Sequence, residues 1–152
     1  MATLGNSLAR TIKEQIRDKI DALTSVAEVF TFIKMPFNKW PVVFITYGTM
    51  EGEFWSTSEN QRVYSFRTYI LVPIGKTPND VTDDRMQFAE EAVGQVVEEI
   101  IDALDSDYEL GQYNANVNFV RALDVSYGET DYEGGYAKSA ELTIEVHTLY
   151  SV

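Results

Sequence analysis

Cysteine is absent from the chain, and His147 is its only histidine. Disulfide bonds and thiolate chemistry are therefore excluded, as is the clustered Cys/His set of a zinc site. The acids at 105 and 107 follow a helical pattern but lack the spacing of a calcium-binding EF-hand loop. No metal and no cofactor is expected. Basic residues are also scarce, 12 against 24 acids, for a formal charge of −12. That balance argues against a sequence-independent DNA clamp, which needs a basic stripe. It is compatible with a surface that DNA passes without sticking, and equally with an acid excess that keeps the chain soluble. No apolar run approaches the ~20 residues of a membrane span, so no membrane partner is expected. The first residues lack the basic start, apolar run and small-residue cleavage site of a signal peptide, which predicts synthesis in the cytoplasm.

What is present is a strand and a helix that organise the rest. In residues 62–73, Tyr64, Phe66, Thr68, Ile70 and Val72 alternate with Val63, Ser65, Arg67, Tyr69 and Leu71. The first set is aromatic and β-branched and suits a buried face; the second is mixed and at least partly wet. Pro73 is expected to end the ladder. Residues 82–104 carry Met86, Ala89, Val93, Val96, Val97, Ile100 and Leu104 at spacings of three and four, one stripe of an amphipathic helix. Thr82 is its candidate N-cap, with Asp83 and Asp84 in the first turn.

Ahead of these, Leu8, Ile12, Ile16, Ile20 and Leu23 mark a second amphipathic helix, with Asn6 or Ser7 as cap. A short strand is expected near residues 29–32. Pro36 and Pro41 bracket a loop containing Phe37 and Trp40, and residues 42–47 form a strand apolar on both faces, hence central or doubly covered. The polar stretch 48–61, GTMEGEFWSTSENQ, reads as a hairpin arm that extends beyond the core or folds Phe54 and Trp55 back onto its edge. Residues 116–127 alternate, with Val117, Phe119, Leu123 and Val125 on one face and Arg121 interrupting it. Residues 128–135, GETDYEGG, read as a hairpin loop or an acidic rim. The last strand is the clearest: Ala140, Leu142, Ile144, Val146 and Thr148 alternate with Glu141, Thr143, Glu145 and His147. The expected fold is α+β, a single domain over residues 1–152 with a mostly antiparallel sheet and two helices on one face.

Signs of chemistry are weak. His147 is the one candidate general base, but no nucleophile motif accompanies it, so a surface or interface role is expected. Glu90–Glu91 and Glu98–Glu99 are adjacent helical pairs that do not converge on a substrate. Residues 72–82, VPIGKTPNDVT, hold one glycine and one lysine, without the spacing of a phosphate loop. Tyr64 and Phe66 mimic the aromatic pair of an RNA-binding sheet only superficially, and the charge opposes it. No catalytic residue is assigned, and the chain is not expected to be an enzyme.

The run RVYSFRTYILVPIG, the helix DDRMQFAEEAVGQVVEEIIDAL, the closing strand SAELTIEVHTLY and the N-terminal helix form a recognisable order. In that order the chain resembles the tail terminator and tail-completion (head–tail joining) proteins of long-tailed bacteriophages. The resemblance spans nearly the whole chain as a pattern and contains no short residue motif. It implies a structural virion protein that forms a ring, hexameric in the family, and caps the tail tube. The implied partners are further copies of the chain, the tail tube protein, the head-side connector or neck protein, and double-stranded DNA passing through the lumen without specific binding. Phe54, Trp55 and Tyr132 are the candidate subunit-contact residues. Glu51, Glu53, Glu129, Asp131 and Glu133 are the candidate acids of a lumen or rim. Two other readings stay open: another neck, head-completion or tube protein, and a small cytosolic ligand-binding or enzymatic α+β domain.

Overall fold

The computed structural model describes residues 7–54, 59–110, 117–132 and 135–151. Ser7 caps the first helix, α1 (Leu8–Asp21), by accepting the Arg10 amide on its side chain, and Ile12, Ile16 and Ile20 are fully buried along it. Thr82 does the same for α2 (Asp83–Ser106), accepting from the Arg85 amide, with Asp83 and Asp84 beside the positive end of the helix dipole. Ala89, Val93, Val96, Val97, Ile100 and Leu104 are its buried stripe.

The strands are β1 (Glu28–Phe30), β2 (Val42–Phe54), β3 (Glu59–Gly75), β4 (Val117–Tyr132) and β5 (Gly135–Ser151). They form one sheet in the order β1-β2-β3-β5-β4. Only β1 and β2 run parallel; every other pairing is antiparallel. The fold is α+β, with both helices on one sheet face. A 3-10 turn (Pro78–Asp80) leads from β3 into α2.

The core follows from the alternation. Phe66, Ile70, Val72, Ile144, Val146 and Leu142 face the stripes of α1 and α2. The opposite face is mostly open, and one end of it is covered. There Phe37, from the loop between β1 and β2, packs with Val42, Phe44, Leu71 and Ala137, while Phe30, Tyr69 and Tyr132 flank them. This second cluster is why Val42 to Ile45 are buried on both faces, as their continuous apolar run predicts.

Three expectations are corrected. The first is that Pro73 does not end β3: the ladder shifts register between Pro73 and Gly75 and then closes on Tyr136. A bulge absorbs the missing amide donor. The second correction concerns residues 128–135, where no loop begins at 128. Gly128 pairs with Ser139, Glu129 with Lys138 and Tyr132 with Gly135, so the ladder carries on; residues 133 and 134 lie outside the described ones. Polar side chains are tolerated because β4 is an edge strand, largely wet there.

The third concerns β4, whose faces do not follow simple alternation. Register shifts between Val117 and Phe119 and between Leu123 and Ser126 break the phase, and Asp124 takes the left-handed backbone (φ 55). Each bulge adds a residue and exchanges the two faces. Val117 and Val120 therefore join the helix-side core, with Val125 packed against it. Phe119, Arg121 and Leu123 stand opposite His147, Glu145 and Thr143 on the open face.

Candidate functional site

The sheet presents two unlike surfaces at its two ends. At one end, β2 and β3 run on past the helices. A register shift between Tyr47 and Met50 introduces this extension, and Gly48 sits within it. A Cβ on Gly48 would lie 2.8 Å from the Ser65 carbonyl oxygen, so only glycine allows this approach. The helix layer meets β2 at Tyr47, where Lys13 of α1 places its Nζ 3.8 Å from the ring centroid. Burial of the Lys13 ammonium lowers its pKa from 10.5. Beyond that point Met50 is 60% exposed, and Glu51 and Gly52 are exposed as well. The ladder continues through Glu51↔Val63 and Glu53↔Gln61 to Phe54↔Asn60. The expected arm is thus a continuation of the sheet, and β5 borders it as far as Ser151 opposite Glu59.

At the other end, where β3 turns into α2, lies a groove of about 830 Å³. Trp40, Pro73, Gly75, Lys76, Asp80, Arg85, Phe88 and Tyr132 line it. Trp40 is 49% and Phe88 64% exposed, a large apolar surface to leave in water. Tyr132 packs against Phe37, ring centroids 5.1 Å apart and planes 29° apart. Burial raises the pKa of its phenol above 10.0. Gly135 closes this end at φ +139, where a Cβ would meet the Gly75 carbonyl oxygen at 2.4 Å.

A third feature is a polar chain on the open sheet face. Arg121 donates two hydrogen bonds to Glu145 Oε1, at 3.2 and 2.8 Å. His147 Nε2 lies 2.5 Å from the same oxygen, and Gln61 Nε2 lies 3.2 Å from His147 Nδ1. The Gln61 amide nitrogen is a donor only, so Nδ1 accepts and Nε2–H donates to Glu145. Every partner in this chain is engaged, which suits a tie between β3, β4 and β5. A smaller cavity of about 420 Å³ lies between the helices, lined by Gln15, Asp18, Lys19, Ala22, Asp107 and Leu110, with Lys19 ion-paired to Asp107 across it.

The candidate residues divide between the two ends. Glu51, Glu53 and Phe54 belong to the arm, while Glu129, Asp131 and Tyr132 belong to the groove end. Glu129 pairs with Lys138 at 3.9 Å, and Asp131 is exposed. Trp55 and Glu133 lie outside the described residues. Glu51, opposite Val63, and Glu129, one ladder over from Val72, are nine β3 residues apart. That is about 30 Å along the strand, so one chain does not gather these acids into a single patch. Sequence reasoning missed Phe88 as a surface residue. Its signal was an aromatic on the polar side of the α2 stripe, beside Gln87.

Among the described residues no group of three or more His, Cys, Asp or Glu is placed to hold a metal ion, and no helix is long and apolar enough to cross a membrane. No protein-family model matches the chain, and neither does any curated protein.

Proposed function

We propose that the chain is a structural virion protein, a tail terminator. It forms a ring of six copies that caps the tail tube, meets the head-side connector, and lets DNA pass through its centre. The observation that carries this reading is the pair of unlike surfaces at opposite ends of one sheet. A ring built head to tail needs two different faces on each subunit. The arm beyond Tyr47 supplies one and the Trp40–Phe88 groove supplies the other. The excess of acids supports passage of DNA without a sticking term, because phosphates gain nothing from such a surface. A small-ligand domain would instead place shifted titrating groups around an enclosed pocket. Among the described residues the shifted groups are Lys13 of α1, Tyr132 of β4 and Glu145 of β5, on three different elements.

Mass measurement of the purified protein, with electron microscopy of the concentrated sample, tests the reading. A sixfold ring, or a monomer that assembles only on isolated tail tubes, is expected. A stable monomer or dimer that ignores tail tubes and carries a bound small molecule overturns it.

A further inference from the structure

We infer that the groove at Trp40 and Phe88 is the receptor for the β2–β3 arm of a second copy of the chain. The inference rests on the ring reading above and names the contact that closes the ring.

Geometry excludes the chain's own arm. Asn60, opposite Phe54, and Ile74, in the groove lining, are fourteen residues apart on the same strand. At about 3.3 Å per residue that is roughly 45 Å, the full length of the sheet. Two points that far apart on one strand do not meet, so an arm that fills this groove comes from a neighbour. Such a contact is heterologous: each copy gives its arm to one neighbour and receives the arm of another.

Charge selects the same occupant. The arm's described strands, residues 48–54 and 59–62, carry Glu51, Glu53 and Glu59 against Arg62 in their sequence. The groove lining carries Lys76 and Arg85 against Asp80, while Asp83, Asp84, Glu129 and Asp131 stay outside the lining. The lining itself is thus net positive within a chain of net charge −12. The side chains match in kind as well: the arm offers exposed Met50, with Phe54 in its sequence, and the groove offers exposed Trp40 and Phe88. Aromatic anchors meeting apolar walls within a charged rim is the usual make-up of a specific interface.

Charge reversal on each side, followed by mixing, is the test. One variant carries Glu51→Lys and Glu53→Lys; the other carries Lys76→Glu and Arg85→Glu. Glu51, Lys76 and Arg85 are exposed, and a glutamate at 85 stands three residues after the Thr82 cap, where it completes a capping box. Both variants are therefore expected to fold, with circular dichroism as the check. Alone, each is expected to need about tenfold or more protein than the native chain to assemble, because like charges now meet. Mixed in equal amounts, the two are expected to recover assembly, since a basic arm meets an acidic groove and an acidic arm a basic one. Native rings whose assembly the reversals leave unchanged overturn the arm-in-groove contact and leave the ring standing. So does a variant that still forms rings but no longer joins tail tubes, since the groove then holds a tube protein. Failure of the mixture to assemble overturns it too. A native chain that forms no ring, with or without tubes, removes the ring reading itself, and the inference with it.

Discussion

Phe119 lies flat on His147, their ring centroids 4.1 Å apart and their planes 17° from parallel. The stack shields the imidazole from water on the open sheet face, and the ring's two nitrogens face Gln61 and Glu145. His147 is thus oriented as a structural tie.

Glu145 should make the chain sensitive to acid. Burial alone would raise its pKa from 4.5, but hydrogen bonds from His147 and Arg121 and the charge beside them outweigh burial and lower it. A carboxyl with a depressed folded-state pKa contributes stability that is fully present above the ordinary value and lost as pH falls through the lower one. Glu145→Gln is therefore expected to cost about 1–2 kcal/mol at pH 7. The gap should narrow from about pH 4.5 downward as the native carboxylate is protonated. Urea unfolding at a series of pH values checks this; a gap that stays constant to pH 3 would falsify the assignment.

Gly48 sets the register of the arm. Its missing side chain leaves room for the Ser65 carbonyl, which a Cβ would approach to 2.8 Å. The obstacle is backbone, so the strands must separate. Gly48→Ala is expected to destabilise by about 1–3 kcal/mol and to weaken assembly, because the arm is displaced. Denaturant midpoints read the first effect and light scattering the second.

Both helices and β5 were legible in the sequence because each has one unbroken period. Ile12, Ile16 and Ile20 recur every four residues, and Ala140 to Thr148 every two. The faces of β4, though not its existence, were illegible, because its bulges exchange them and nothing in the letters fixes Asp124 in the left-handed region. The Phe119–His147 stack depends on that register and was hidden with it. The groove was hidden for another reason: Trp40, Lys76, Phe88 and Tyr132 come from four separate segments, and only the sheet order brings them together. The arm lay between these cases. Its polar run announced a projection, but the continuous ladder to Phe54 did not show in its composition.

Phe88→Ser separates assembly from stability. The ring is 64% exposed and lies off the buried stripe of α2, so the change should shift the unfolding free energy by no more than about 0.5 kcal/mol. Association should fall sharply, since the groove loses an aromatic wall. Ile100→Ala is the contrast. Ile100 is fully buried in the helix-side core, and its truncation should cost about 2–5 kcal/mol. Loss of stability in the serine variant would place Phe88 in the core and remove it from the interface.

Thr68 and Thr148 are both fully buried on the helix side of the sheet, and the same substitution should act on them in opposite directions. The Thr148 hydroxyl donates to the Arg62 carbonyl at 2.9 Å, tying β5 to β3. The Thr68 hydroxyl has no hydrogen-bond partner, although it lies between Ile45 and Leu142 on the neighbouring strands. Burying a hydroxyl without a bond is unfavourable, and valine fills nearly the same space without that penalty. Thr68→Val is therefore expected to stabilise the chain by up to about 1 kcal/mol, while Thr148→Val should destabilise it by about 1 kcal/mol, because the hydroxyl's hydrogen bond to the Arg62 carbonyl is lost. Thermal melts of the two variants under one buffer condition decide it. A lower melting temperature for Thr68→Val would mean that the hydroxyl is engaged, and that the strand centre is held by more than apolar packing.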